Sequence, residues 1–281
     1  MKAVIDIGSN SVRLLLNGKK TIRTTALAKG LASSGVLSPS AMKDTGKAVV
    51  ELFDIACDNG AEEIFVFATE AVRAAENGAE FIGHLKKFDI DVDVLSPKQE
   101  AESGFLGAYT GGRQAVLDIG GASSELSLGD SAGLLYWHSV AVGAQRLADI
   151  FTGNIRELSF YIKERIAEYG AVPPCGELIA IGGTPTTLVS VLEGLEPYDE
   201  SVVHGYVLKA EAIRDCAQKI FAMPLQARYN IKGLPQKKAS VIAPGGLLLY
   251  HIMEYLNKDS CIVSERDNME GYLYMKLSGR L

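Results

Sequence analysis

A chain that writes one phrase twice is constrained to fold the same way twice. Residues 3–16 read AVIDIGSNSVRLLL and residues 115–128 read AVLDIGGASSELSL; at a fixed offset of 112 they are identical at Ala3, Val4, Asp6, Ile7, Gly8, Ser11, Leu14 and Leu16. Each copy runs from a short apolar, β-rich stretch through small turn residues into a second apolar stretch, the pattern of a hairpin. A second echo links EEIFVFATEAVRAA at 62–75 with GELIAIGGTPTTLV at 176–189, at an offset of 115. Both pass through a buried strand to a threonine, Thr69 or Thr184, placed to cap a following helix. The expectation is a pair of α/β halves facing one another across a cleft.

In both hairpins an aspartate, Asp6 or Asp118, stands near the end of the first strand, where burial is costly without a cation or hydrogen-bond donors. The turns that follow carry small residues: Gly8, Ser9, Asn10 and Ser11 in one, Gly120, Gly121, Ser123 and Ser124 in the other. Small residues permit unusual backbone angles and let a ligand approach main-chain N–H groups, so each turn could cradle phosphate oxygens. One copy alone reads more simply as an ordinary hairpin with a polar turn. Two copies in register favour a chain of phosphates gripped from both sides.

Three further places invite weighing. Arg73 lies one turn into the helix expected after Thr69, within reach of an anion at that N-terminus or, equally, of Glu70 or Glu76. Glu100 and Glu102 open a helix for which Ser96 is the expected N-cap and Pro97 the first residue; local sequence alone assigns them to the helix dipole. Asp118 and Glu125 flank the second turn, where they could face magnesium or, for Glu125, simply solvent.

At 281 residues, with 47% hydrophobic and 22% charged residues, the chain suits two globular domains. A net charge of -6 argues against general nucleic-acid binding, so an anionic ligand must be met locally. The four cysteines and four histidines are scattered and suggest neither a zinc site nor a disulfide framework. With no signal-peptide core and no apolar run of membrane-spanning length, a cytoplasmic protein without membrane attachment is expected. Helical spacing marks 39–59, 97–110, 144–150, 155–168, 209–222 and 236–257; strands are expected at 62–67, 90–95, 178–182 and 260–263. TGGR at 110–113 marks a boundary between domains at 1–112 and 113–267, with the amphipathic segment 268–281 free to cross back onto the first.

Taken together, DIGSNS at 6–11, ATEAVRAAEN at 68–77, QEAESGFLG at 99–107, DIGGASSEL at 118–126, GAQRL at 143–147 and IGGT at 181–184 resemble the exopolyphosphatase and guanosine pentaphosphate phosphatase family across almost the whole chain. The resemblance implies two ribonuclease-H-like domains of the actin, hexokinase and heat-shock ATPase superfamily, in the short form without further helical domains. It implies Glu100 as the base that aligns the attacking water and Arg73 as the phosphate-binding arginine. Asp118 and Glu125, with Asp6, become candidate magnesium ligands; Ser9, Asn10, Ser11, Gly120, Gly121, Ser123, Gly183 and Thr184 would form the phosphate cradle. Substrates implied are inorganic polyphosphate or guanosine pentaphosphate, and a homodimer is a family expectation. Ala122 and Ser124 stand where the family has Gly and Thr, Lys238-Ala239-Ser240 where it favours Arg-Ala-Asp, and Asn268-Met269-Glu270-Gly271 where it has LREG. A small-molecule kinase and a non-catalytic phosphate or alarmone sensor are the rival readings.

Overall fold

The computed structural model describes residues 1–151 and 153–281. Its strands form two sheets, each begun by one of the duplicated hairpins. The first sheet contains β1 (Lys2–Ile7), β2 (Ser11–Leu16), β3 (Lys19–Thr24), β4 (Glu63–Ala68) and β5 (Asp93–Val94), in the order β3-β2-β1-β4-β5. The second contains β6 (Gln114–Ile119), β7 (Ser124–Asp130), β8 (Gly133–Val140), β9 (Glu177–Ile181), β10 (Val207–Lys209) and β11 (Ser260–Val263), in the order β10-β11-β9-β6-β7-β8. From β8 to β11 the second sheet repeats the first: three antiparallel strands, then two added in parallel. This is the expected pair of ribonuclease-H-like sheets, with β10 an extra antiparallel edge.

In the first half, α1 (Leu31–Ser34) and α2 (Pro39–Asp58) precede β4; α3 (Glu70–Ala74) and α4 (Gly78–Lys86) precede β5; and α5 (Pro97–Ala108) follows it. In the second half, α6 (Ala144–Ile150) and α7 (Ile155–Ile166) precede β9, while α8 (Gly183–Glu193) and α9 (Glu200–Val203) precede β10. Then come α10 (Ala210–Phe221), α11 (Leu225–Arg228) and α12 (Ile242–Tyr255), and α13 (Asn268–Leu277) follows β11. No helix among the described residues is long and apolar enough to cross a membrane.

The central strands are apolar on both faces because each face has its own cover. In β1, Ala3, Ile5 and Ile7 join the core beneath α2 and α4, whereas Val4 points the other way, to Phe67, Met269 and Tyr272. In β6, Ala115, Leu117 and Ile119 face the core that contains α12, and Val116 faces Phe105 of α5. The last helix of each half therefore covers the other half's sheet. Phe105 and Ala108 of α5 pack on Val116, Ile179 and Ile181 of the second sheet; Met269 and Tyr272 of α13 pack on Val4, Leu15 and Phe67 of the first. Each such large side chain, fully buried, contributes about 1.5–3 kcal/mol.

The two exchanged helices cross at glycines. A Cβ on Gly107 would lie 1.9 Å from the Asp267 carbonyl oxygen, and one on Gly271 would lie 1.8 Å from that of Ser103. Both helices begin with a capping box, Ser96 with Gln99 and Asp267 with Glu270, which fixes their first turns at the inter-sheet boundary.

Several elements differ from the sequence expectation for identifiable reasons. The span 236–257 is divided into a 3₁₀ turn at Gln236–Lys238 and α12, since the ring of Pro244 suits a first helical turn and excludes a preceding one. The strand expected at 90–95 is reduced to Asp93–Val94, which pairs only with the end of β4. The edge strand β3 was not expected, although Asn17-Gly18 ahead of it is a hairpin signal and both residues adopt positive φ, 52° and 72°.

Candidate active site

The two duplicated turns meet. A Cβ on Gly121 would lie 3.0 Å from the Cβ of Ser9 and 3.7 Å from that of Asn10, so the second turn packs directly on the first. Both close in the same way, Gly8 N–H donating to Ser11 O at 3.0 Å and Gly120 N–H to Ser123 O at 3.1 Å. Between the halves lies a cavity of about 410 Å³. Ser9, Asn10 and Ser11 border it from one turn, Gly120, Gly121 and Ser123 from the other, and Gly183 and Thr184 from the start of α8. Every residue expected in the cradle is thus brought to one space.

Thr184 is there for a reason other than capping. Gly182 occupies the N-cap of α8, with φ of +90°, and Thr184 lies inside the first turn. A side chain at Gly182 would come within 2.6 Å of Asp118 Oδ1, so only glycine lets α8 begin this close to that carboxylate. Thr69 does precede α3 but makes no side-chain cap.

The strand register sets the charges. Asp6 faces Arg13 across the first hairpin, and Arg13 Nε donates to Asp6 Oδ2 at 2.8 Å while Nη1 reaches Asp267. Lys20 adds a second cation, 3.0 Å from Asp267 and 3.2 Å from Glu270. Asp6, expected among the metal ligands, therefore already has a cation of the chain's own on Oδ2. At the matching position of the second hairpin Asp118 faces Glu125. Glu125 is buried and Asp118 half-buried, and among the described residues no lysine or arginine forms an ion pair with either. Burial, with the nearby charge of Glu125, pushes the Asp118 carboxyl up to about 8; burial pushes Glu125 up to about 7, against hydrogen bonds from Ser139, at 2.7 Å, and Ser123.

Glu100 and Arg73 stand beside this pair, outside the cavity lining. Glu100 is 5% exposed, and its carboxyl is held well above the usual range by burial and then by the charge of Glu125. Arg73 Nη1 donates to Glu100 Oε2 at 3.0 Å and to the Leu95 carbonyl, and Nη2 donates to Glu70 at 2.6 Å. Of the partners weighed for Arg73, the acidic neighbour Glu70 is the one the structure pairs with it; its other acid is Glu100. Glu100 is no dipole-compensating surface residue.

Residues 4–279 match the model of the Ppx/GppA phosphatase family. The chain belongs to that family. It is 30% identical to the bifunctional 3-dehydroquinate synthase/phosphatase of Fusobacterium nucleatum, over 96% of this chain and 46% of that protein, so it spans about half of that relative's length. It is 24% identical to exopolyphosphatase 2 of Mycobacterium tuberculosis, over 99% of this chain and 98% of that one. The crystal structure of the Aquifex aeolicus Ppx/GppA family member superposes with a TM-score of 0.80 at 26% identity, covering 99% of this chain and 98% of that one.

This Ppx/GppA phosphatase also carries site residues that sequence reasoning passed over. Arg13 could have been found, since it stands opposite Glu125 in the aligned phrases as a reversal of charge. Lys238 had the signal of standing where the family favours Arg, without a stated role. Its Nζ donates to the Gly183 carbonyl at 2.9 Å and to Thr187 Oγ1 at 2.8 Å, and burial together with Arg13 brings it down to about 8. Among the described residues no three His, Cys, Asp or Glu side chains form a metal cage. The donor set of Asp118 and Glu125, hard oxygen ligands without a cation, nevertheless suits a magnesium ion that completes its shell with water and phosphate oxygens.

Proposed function

We propose that this protein is a magnesium-dependent exopolyphosphatase that removes the terminal phosphate of inorganic polyphosphate. The observation that carries the reading is the meeting of two phosphate-type turns over an Asp118–Glu125 pair that lacks its own cation, with Glu100 alongside. Kinship with exopolyphosphatase 2 over nearly both full lengths supports it. In this reading residues 1–112 and 113–267 form the lobes that enclose the substrate, except that α5 covers the second sheet while 268–281 ties back onto the first.

The turn N–H groups and the hydroxyls of Ser9, Ser11 and Thr184 hold phosphate oxygens, Ser123 contributes through its place in the turn, and Lys238 and Arg73 contribute positive charge. Asp118 and Glu125 would hold magnesium, which when bound neutralises charge on the phosphoryl group being transferred. Water attacks the terminal phosphorus, its proton passes to the Glu100 carboxylate, and the phosphoanhydride bond breaks with its electron pair left on the shortened polyphosphate. A carboxyl with a raised pKa is a stronger base than an ordinary one, which suits Glu100 to that task.

Guanosine pentaphosphate is the second reading, favoured by Ile22 and Tyr198 in the cavity lining, which offer apolar surface for a base. Phosphate release from polyphosphates of graded length and from guanosine pentaphosphate, with and without magnesium, tests both. Absence of magnesium-dependent release from every one of them rejects the proposal.

A further inference from the structure

The two turns sort their main-chain groups in the same way. In the first, the Ser9 carbonyl accepts from Ala28 N–H at 2.8 Å, and the Asn10 carbonyl accepts from Thr25 and Ala26 N–H at 3.1 and 3.0 Å. In the second, the Gly120 carbonyl accepts from Ala144 N–H, and the Gly121 carbonyl from Gln145 and Arg146 N–H, each at 2.9 Å. The carbonyls of each turn are taken by the segment packed on it. The N–H groups of Ser9, Asn10, Gly121, Ala122 and Ser123, by contrast, have no acceptor among the described residues. Successive main-chain donors left free in a turn form a concavity suited to an anion.

One carbonyl is held differently. Ala122 O accepts from Arg146 Nε at 2.9 Å, where the matching Asn10 carbonyl of the first turn uses main-chain donors. That bond is the only hydrogen bond or ion pair of the guanidinium among the described residues. Ala122 and Arg146 border a small recess apart from the cavity, whereas Ser123 borders the cavity itself. In a planar trans peptide the C=O of one residue and the N–H of the next point in opposite directions. Holding the Ala122 carbonyl toward Arg146 therefore turns the Ser123 N–H away from the recess and toward the cavity. Gly143, the N-cap of α6, brings Arg146 to this place: a Cβ there would lie 2.6 Å from the Gly121 carbonyl, so only glycine lets the helix start against the turn.

We propose that Arg146 is a positioning residue for phosphate binding: by holding the Ala122 carbonyl it fixes the next peptide with its N–H presented to a phosphate oxygen. Without that bond the peptide is free to turn, and a carbonyl presented to the cavity repels the anion that the N–H attracts. The effect belongs to a hydrogen bond and not to charge on the substrate, because Arg146 does not border the cavity. This inference rests on the reading of the turns as a phosphate cradle.

Two substitutions separate the bond from the charge. Glutamine carries a neutral nitrogen donor as many bonds from Cα as arginine Nε, and methionine places a methyl group there. For Arg146→Met, KM for inorganic tripolyphosphate and the calorimetric Kd of orthophosphate are expected to rise roughly tenfold, with kcat within about threefold, as for binding lost equally from ground and transition states. Arg146→Gln should bring both constants back to within about threefold of the parent's, since the donor is restored. A crystal structure of the unaltered protein with orthophosphate should show Ser123 N–H donating to a phosphate oxygen while Arg146 Nε stays on the Ala122 carbonyl. Unchanged KM and Kd in the methionine variant overturn the proposal. So does a glutamine variant as weak as the methionine one, which makes charge the cause, and so does a phosphate complex in which Ser123 N–H faces elsewhere. Should the methionine variant not fold, the glutamine variant and the crystal structure decide. If the unaltered protein binds neither tripolyphosphate nor orthophosphate, the cradle reading fails and this inference with it; if it binds them and the methionine variant binds them equally, this inference alone fails.

Discussion

Asp118 faces Glu125 across the second hairpin at the register position where, in the first, Asp6 faces Arg13. Duplication preserved the aspartate and reversed the charge opposite it. The first hairpin satisfies its buried acid internally, and Arg13 with Lys20 also hold Asp267 low in spite of burial. The second sets two acids against one another beside a third, Glu100. A stable protein tolerates such a trio only where a ligand cation or bound protons offset the repulsion.

Stability of the metal-free protein should therefore fall as pH rises. Folded Asp118, pushed up to about 8, and Glu125, up to about 7, lie above their unfolded values near 3.8 and 4.5. The native state binds the extra protons in between, so this contribution is present at low pH and is lost as pH climbs through the folded values. Urea denaturation in chelator between pH 5 and 8.5 should show a decline of up to about 1.4 kcal/mol per pH unit per group. Asp118→Asn should flatten that decline, and magnesium at pH 8 should raise stability in the unaltered protein more than in the variant.

Glu100→Gln keeps shape and removes the base. Turnover should drop by roughly 10²–10⁴-fold while polyphosphate binding, followed by calorimetry, persists. A variant with near-normal turnover would remove Glu100 from the chemistry.

Arg13 is expected to matter for folding at least as much as for substrate. Arg13→Leu leaves Asp6 and Asp267 buried with an acid's charge and one cation fewer, a loss of about 3–5 kcal/mol in urea denaturation. A loss below about 1 kcal/mol would mean that the ion network is relaxed in solution.

Two glycine substitutions should move stability in opposite directions. Gly271→Ala drives a methyl group into the Ser103 carbonyl and should cost about 2 kcal/mol or more. Gly46→Ala, within α2 and with nothing inside 4 Å, should stabilise by about 1 kcal/mol through helix propensity. Thermal melts of the pair against the parent check both signs.

What could be read from the sequence was whatever is local or repeated. Both hairpins, the Ser96 cap and the convergence of the turns follow from turn chemistry and the duplication, and the structure has them. Lys238 and Asn268 could not be placed, because nothing in their own neighbourhoods says that a 3₁₀ turn or the start of a helix returns to the cavity. The apolar residues of α5 announce burial without saying against which sheet; Phe105 would look the same on either. The division of 236–257, by contrast, is legible in Pro244.

The exchange of α5 and α13 also bears on ancestry. A lone repeat would have had a bare sheet face and a homeless terminal helix, and two copies trading that helix would have cured both defects at once. Joining such swapped partners end to end yields the present connectivity, and residues 1–112 produced alone should accordingly be found as a dimer.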